Sequence, residues 1–234
     1  MAGSQKKFYG ALALITLVGI GLIGYALVKG EPTPTVTTAS MAPGGDTGAP
    51  VGMDVGVARG SPDAPVTLEE YLDYQCPYCA MVSRLTIPGI LERYVDSGKV
   101  RYIVYDFPVH QGEKSYLAAE AARCAGDQDA YWPMHEALFG HMQEWEPKSD
   151  PTGAFKGYAK QLGLDSDAFG KCLDSRKYRD LVVANRRRGD QHAVNSTPTF
   201  IIDGEKRVSG AIGFDRMAKM LDEQLAAAGT TADQ

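Results

Sequence analysis

The stretch that most constrains the fold is LEEYLDYQCPYCAM, residues 68–81. Its two cysteines, Cys76 and Cys79, are separated by two residues. An alternating apolar pattern, which predicts a strand, ends just before Cys76, and a helical pattern begins just after it. The thiol pair is therefore predicted to lie where a helix begins, and this position restricts both its geometry and its chemistry.

Pro77 has no amide hydrogen and suits the first position of a helix, so Cys76 is predicted to be the residue that caps this helix. The free amides of the first turn and the positive end of the helix dipole then favour a thiolate at Cys76. Helix N-termini lower cysteine pKa values into a range of roughly 3.5–7.5. Cys79 lies one turn further in and is predicted to be more buried. We therefore expect Cys76 to be the reactive sulfur and Cys79 to resolve the mixed disulfide.

The remaining pattern predicts an α/β fold with a helical insertion of about 80 residues, residues 112–193. A helical pattern after Pro77 is interrupted by Pro88, and an Asp203-Gly204 pair predicts a hairpin turn. The predicted order is strand, helix, strand, several helices, hairpin and helix, with the first two strands at Ala64–Tyr74 and Val100–Phe107.

Glu70 is unexpected on the first predicted strand, because it shares a face with Leu68, Leu72 and Tyr74. A carboxylate on an apolar face should have a raised pKa, which suits proton transfer near neutrality. A register slip of one residue would turn Glu69 inward instead.

The chain has four cysteines, which allow three pairings. Cys76 and Cys79 are close enough to pair with each other, which leaves Cys124 to pair with Cys172 inside the insertion. Such a cross-link would contribute roughly 4 kcal/mol in the chain-entropy model. A zinc site is the alternative for a C-x-x-C pair, but a second ligand pair is missing. We therefore predict no metal site and no cofactor.

The N-terminal region contains 21 uncharged residues, 8–28, preceded by Lys6 and Lys7 and followed by Lys29. As a helix they would reach about 31 Å, which matches the roughly 30 Å hydrocarbon core of a bilayer. The apolar part of a cleavable signal peptide is shorter, about 7–15 residues. We therefore expect an uncleaved transmembrane anchor with residues 1–7 in the cytoplasm, and a signal peptide is the alternative. The intact mass of the mature protein distinguishes the two, and in both cases the rest of the chain is extracytoplasmic.

Residues 29–53 are rich in Pro, Thr, Gly and Ala and are predicted to be a disordered linker. The folded domain is predicted to span residues 54–228, followed by a polar tail, residues 229–234. The net charge is −5, so nothing indicates a nucleic-acid partner. The basic run Arg186–Arg188 is interpreted as a solvated helix face.

Three motifs in this order, SPDAPVTLEEYLDYQCPYC, AAEAARCAGDQDAYWPMHEALF and STPTFIIDG, resemble the DsbA-like branch of the thioredoxin superfamily. These proteins are exported thiol–disulfide oxidoreductases. The resemblance covers residues 60–228 and implies a thioredoxin fold with an inserted helical domain.

The resemblance also implies roles for single residues. Pro198 would be the cis-proline facing the active-site disulfide, and Thr197 would present its backbone to an extended substrate. Glu70 would be a buried acid beneath Cys79 that carries a proton during exchange. Tyr78 would tune the reduction potential of the pair. The best-known oxidases of the family have a histidine at this last position and a valine before the cis-proline, so the direction of the reaction stays open.

The four histidines, His110, His135, His141 and His192, are interpreted as packed or solvated rather than catalytic.

These features together predict a membrane-anchored oxidase that donates the Cys76–Cys79 disulfide to exported cysteine-containing proteins. A membrane partner of the DsbB or vitamin-K-epoxide-reductase type would reoxidise it. The alternative within this chemistry is a reductase or isomerase that a membrane donor keeps reduced. An alternative from another class is a metallochaperone whose C-x-x-C pair holds copper or zinc.

Overall fold

A computed structural model describes residues 56–232, with side chains to residue 229. The predicted anchor, residues 8–28, and the predicted linker, residues 29–53, lie outside the described residues. Between residues 56 and 232, none of the helices has both the length and the apolar character needed to cross a bilayer.

Five strands form one mixed sheet in the order β1-β3-β2-β4-β5. β2 and β3 are parallel, and the other three pairings are antiparallel. The strands are β1 (Val57–Arg59), β2 (Val66–Leu72), β3 (Val100–Asp106), β4 (Thr199–Ile202) and β5 (Lys206–Ser209).

Three helical segments connect β2 to β3, as a parallel pair requires. They are α1 (Pro77–Leu85), α2 (Ile87–Ile90) and a π-helical turn (Leu91–Val95). Six helices follow β3, namely α3 (Lys114–Gly126), α4 (Tyr131–Gly140), α5 (Met142–Trp145), α6 (Thr152–Gln161), α7 (Ser166–Asp174) and α8 (Arg179–Gln191). The last helix, α9 (Phe214–Ala232), continues beyond the predicted end at residue 228.

The predicted α/β fold with a helical insertion is therefore present, with some differences at the element ends. β1 was not predicted, because three residues are too few to show an alternating pattern. β2 is shorter than predicted, because the chain turns at Asp73, whose carboxylate accepts a hydrogen bond from the amide of Gln75 at 2.9 Å. The helix after Cys76 ends at Leu85, before Pro88, and the hydroxyl of Thr86 donates to the carbonyl of Ile212 at 2.7 Å.

The sheet buries both of its faces, and alternate residues of β2 point to opposite sides. Tyr71 packs with Tyr105 and Phe107 on one face, where α8 covers them. Gly189 of α8 permits this close packing, since a Cβ atom there would lie 2.4 Å from the Phe107 ring. Glu70 points to the other face, where the active-site helix α1 and the insertion helix α4 lie.

Two buried connections stabilise the insertion. Cys124 of α3 and Cys172 of α7 form a disulfide across 48 residues of chain. Arg123, next to this disulfide, donates to the carboxylate of Asp106 at the end of β3, at 2.7 and 2.8 Å. The first connection holds the insertion helices together, and the second attaches them to the sheet.

Replacement of both cysteines, Cys124→Ala with Cys172→Ala, should lower the free energy of unfolding by about 4 kcal/mol, because the unfolded chain loses the constraint of a long closed loop. Denaturant unfolding of the variant and of the parent protein measures the difference. Addition of a strong reductant to the parent protein breaks the same disulfide and should abolish most of the difference in unfolding free energy between the two proteins. A difference below about 1 kcal/mol would contradict the role that we assign to this disulfide.

Candidate active site

Cys76 occupies the N-cap of α1, with extended backbone angles (φ −83°, ψ 117°) and Pro77 at the first helical position. Its amide donates to the carbonyl of Asp73 at 3.0 Å, and its carbonyl accepts from the amide of Ala80 at 3.1 Å. These two hydrogen bonds fix the turn between β2 and α1. The sulfur consequently lies beside the free amides of the first helical turn.

The surroundings of Cys76 favour a thiolate and lower its pKa to about 6. The largest contribution is a hydrogen bond from the thiol of Cys79, and burial of the sulfur opposes it. The side chain of Thr197 and the backbone amides of Cys79 and Tyr78 contribute further hydrogen bonds. The helix amides therefore act as the sequence suggests, but the neighbouring thiol has the larger effect.

Cys79 has the opposite environment. Its side chain is 0% exposed, compared with 4% for Cys76. Burial raises its pKa well above the usual value, and its hydrogen bond to Cys76 and the charge of Glu70 add to this effect. Both cysteines are free thiols in this structure. At neutral pH, Cys76 is thus ionised and Cys79 carries the proton.

Glu70 is the acid that faces inward from β2, and it is 1% exposed. Burial raises its pKa to about 7, although a hydrogen bond donated by the Tyr102 hydroxyl opposes the shift and the charge of Cys76 adds to it. Glu69 faces the other side, where it accepts hydrogen bonds from Tyr71 at 3.3 Å and Arg188 at 3.1 Å. A carboxyl group with a pKa near 7 can both give and take a proton at neutral pH.

Thr197 and Pro198 precede β4, and the peptide bond between them is cis. Because β4 pairs antiparallel with β2, the start of β4 lies at the end of β2 that leads to Cys76. The sulfur of Cys76 lies 3.3 Å from the carbonyl oxygen of Thr197. This loop therefore forms the side of the site that faces the reactive sulfur.

The fold thus brings together Cys76, Cys79, Glu70, Thr197 and Pro198. Their positions in the sequence alone could not show this. Tyr78 is also at the site but is directed outward, with 59% of its surface exposed. The Cys124–Cys172 disulfide belongs to the insertion.

Sequence reasoning did not identify Asp73, a buried carboxylate three residues before Cys76. It accepts hydrogen bonds from the amides of Val109 and His110 at 2.8 and 3.1 Å and from the His110 ring at 2.8 Å. Asp73 therefore attaches the loop after β3 to the turn that carries Cys76. Nothing in the sequence pattern marks this pairing, because the two segments are 36 residues apart.

Exposed large apolar side chains lie on the active-site helix and on the loop after β3. Tyr78, Met81 and Leu85 lie along one face of α1, and Val109 lies in the loop that Asp73 holds. The helical spacing of the first three could have been read from the sequence. Their exposure depends on which face of α1 packs inward, which the tertiary structure decides.

A cysteine pair at the start of a helix, opposite a cis-proline loop on a mixed sheet, defines the thioredoxin-fold class of proteins. The family model described as Thioredoxin matches residues 53–223. The chain belongs to this family, and its inserted helices make it a DsbA-like member.

Several known proteins are similar to this chain, and the first two below support the DsbA-like assignment. Alpha-DsbA1 of Wolbachia pipientis superposes with a TM-score of 0.68 at 25% identity, over 76% of this chain and 94% of that one. Disulfide bond formation protein D of Bacillus subtilis is 26% identical over 71% of this chain and 75% of its own length. A Na(+)/H(+) antiporter, NhaA 1 of Salinispora arenicola, is 35% identical over 67% of this chain. The chain spans only about a quarter of the length of that antiporter, 23%.

Substitution of Thr197→Val removes the side-chain hydrogen bond to Cys76 and keeps the backbone carbonyl. A hydrogen bond to a charged group contributes roughly 1.5–3 kcal/mol, so the pKa of Cys76 should rise by at least about 1. Thiolate absorbance as a function of pH measures the pKa of Cys76. Ser196→Ala, which removes a hydroxyl one residue away, should leave the titration unchanged. An unaltered Cys76 titration in Thr197→Val would exclude this contribution.

Proposed function

We propose that this chain is a thiol–disulfide oxidoreductase that exchanges a Cys76–Cys79 disulfide with cysteines of exported proteins. The observation that carries the proposal is the unequal environment of the two sulfurs: a thiolate at the helix start beside a buried thiol. The name of the Bacillus subtilis relative, a disulfide bond formation protein, supports the same chemistry.

In the oxidising direction, a substrate thiolate attacks the sulfur of Cys76, and the bond between Cys76 and Cys79 breaks. Cys79 leaves as a thiolate and takes a proton from Glu70, because its own pKa lies well above neutrality. A second substrate thiolate then attacks the mixed disulfide at the substrate sulfur. The substrate leaves with a disulfide, and Cys76 remains as a stabilised thiolate.

The low pKa of Cys76 supports the oxidising direction. A low pKa at Cys76 stabilises the reduced enzyme and makes the disulfide more oxidising. A value of about 6 lies below the roughly 7 of thioredoxin and above the roughly 3.5 of DsbA. We therefore infer an oxidase with a reduction potential between those of these two proteins. The reductase and isomerase directions are the alternative.

The exposed apolar residues of the active-site helix support a polypeptide substrate. Tyr78, Met81 and Leu85 offer a contact surface along α1, and Thr197 places its backbone carbonyl beside the sulfur, where an extended chain could pair with this segment. Reoxidation would come from a membrane partner of the DsbB or vitamin-K-epoxide-reductase type. Residues 8–28 would anchor the domain on the extracytoplasmic side of the same membrane, which is supported by their length and lack of charge.

Equilibration with glutathione should give a reduction potential between about −270 and −120 mV. Cys76→Ala should abolish turnover of a cysteine-containing peptide, whereas Cys124→Ala with Cys172→Ala should leave most of it. A reduction potential at or below about −270 mV would exclude the function as an oxidase. Stoichiometric bound metal with Cys76 and Cys79 both reduced after aerobic purification would favour the metallochaperone.

Substitution of Glu70→Gln should slow the step in which Cys79 attacks the mixed disulfide by about 100-fold, because general base catalysis contributes roughly that much. In the parent protein this rate should rise with pH through about 7, where Glu70 loses its proton and can accept that of Cys79. The inflection should disappear in the variant. Glu69→Gln, on the opposite face, is the matched control. Retention of the inflection in Glu70→Gln would exclude Glu70 as the proton carrier.

A further inference from the structure

Glu70 has no direct contact with solvent, since only 1% of its surface is exposed. Each round of exchange nevertheless requires it to gain or lose a proton. A polypeptide bound through Cys76 would lie over the Thr197 side of the site and cover that approach as well. Protons therefore need a route that remains open while a mixed disulfide is present.

A row of hydrogen-bonding side chains lies beneath the active-site helix. The Tyr74 hydroxyl lies 3.4 Å from the Tyr131 hydroxyl and 3.0 Å from Nδ1 of His135. Nε2 of His135 lies 3.3 Å from the hydroxyl of Ser83. We call the row formed by Tyr131, Tyr74, His135 and Ser83 the buried row.

One end of the buried row reaches solvent. Ser83 and His135 line a cavity of about 260 Å³ between α1, the π-helical turn and α4. The cavity wall also includes Glu92, Asp96 and Glu136, all of which are exposed at the surface. Water can therefore reach the end of the row that is formed by Ser83 and His135.

The other end approaches Glu70. The hydroxyl of Tyr102 donates to the carboxylate of Glu70, and the Tyr102 ring stacks on Trp132 at 5.7 Å. Tyr131 lies on the same tryptophan, because its ring packs against Trp132 at 5.1 Å between centroids.

We propose that the buried row, together with Tyr102 and water between the Tyr131 and Tyr102 hydroxyls, conducts protons between solvent in this cavity and Glu70. The inference rests on the proposed role of Glu70 as the proton carrier. It assigns His135 a part in the reaction, whereas the sequence analysis interprets the histidines as packed or solvated rather than catalytic.

The protonation state of His135 suits this role. Burial lowers its pKa to about 3, so the ring is neutral at pH 7 and offers one donor and one acceptor nitrogen. It can therefore accept a proton at one nitrogen while it releases one from the other. A charged imidazolium would present two donors and would interrupt the row.

The proton balance is simple in the direction that closes the active-site disulfide. The mixed disulfide removes the charge of Cys76, which otherwise raises the pKa of Glu70, so a protonated Glu70 first releases its proton through Tyr102 and the buried row. Cys79 then gives its proton to the Glu70 carboxylate and attacks the Cys76 sulfur, and the partner leaves as a thiolate. Glu70 then loses the proton through Tyr102 and the buried row to water in the cavity. When the disulfide opens, the same groups carry one proton in the reverse direction, and Glu70 delivers it to Cys79.

The test follows closure of the disulfide in the full chain. The reduced protein is mixed with oxidised glutathione and quenched with acid at intervals, and mass spectrometry measures the decay of the Cys76–glutathione adduct. His135→Ala should slow this decay about 10-fold, since a general-base pathway contributes at least that much. Imidazole in the buffer should enter the cavity and restore most of the rate, while the pKa of Cys76 stays unchanged.

The control Leu91→Ala widens the same cavity without removing a polar group, and it should show neither a slower decay nor an effect of imidazole. Decay at the parental rate in His135→Ala, or slow decay that imidazole does not restore, would overturn the relay. A parent protein that forms no adduct, or never resolves it, would instead refute the proposed function itself.

A second variant keeps the test decisive if His135→Ala does not fold. Tyr131→Phe retains the ring that packs on Trp132 and removes only the hydroxyl at the inner end of the buried row. Its adduct should also decay about 10-fold more slowly. Tyr116→Phe removes a hydroxyl elsewhere in the insertion and should decay at the parental rate. Equal rates for Tyr131→Phe and the parent protein would overturn the relay.

Discussion

The hydrogen bond between the two active-site sulfurs is the interaction on which the rest of the site depends. It makes the largest contribution to the low pKa of Cys76, and at the same time it helps to raise the pKa of Cys79. One proton, held on the inner sulfur, thus makes the outer sulfur nucleophilic. The turn at Asp73 and Pro77 at the first helical position place the two sulfurs within reach of each other.

The sheet and the insertion provide the other groups that surround the two sulfurs. β4 brings Thr197 to the outer side of Cys76, where its side chain and backbone contact the sulfur. β2 places Glu70 on the inner side, where burial brings its pKa to about 7. The insertion closes the space beneath with Tyr131, Trp132 and His135, and the acid is shielded from bulk water with the Tyr102 hydroxyl as its hydrogen-bond donor.

Much of the fold could be predicted because the patterns are strong and local. The alternation in β2 and β3, the proline after Cys76 and the Asp203-Gly204 turn each specify one element. β1 could not be predicted, because it forms by pairing with β3 and has no alternating pattern of its own. The hydrogen-bond partners of Glu70 and Asp73 could not be predicted either, since Tyr102 and His110 come from segments more than 30 residues away.

The sequence by itself determined the position of Cys76 at a helix start and the number of cysteines, because capping and composition are local properties. It also determined that an acid shares the inner face of β2, since side chains alternate along any strand. Only the tertiary structure decided that the neighbouring thiol outweighs the helix amides at Cys76. Only packing of the insertion against α1 and the end of β2 likewise decided that His135 is neutral, buried and hydrogen-bonded on both sides. These are effects of burial and distance between remote segments, and no local pattern encodes them.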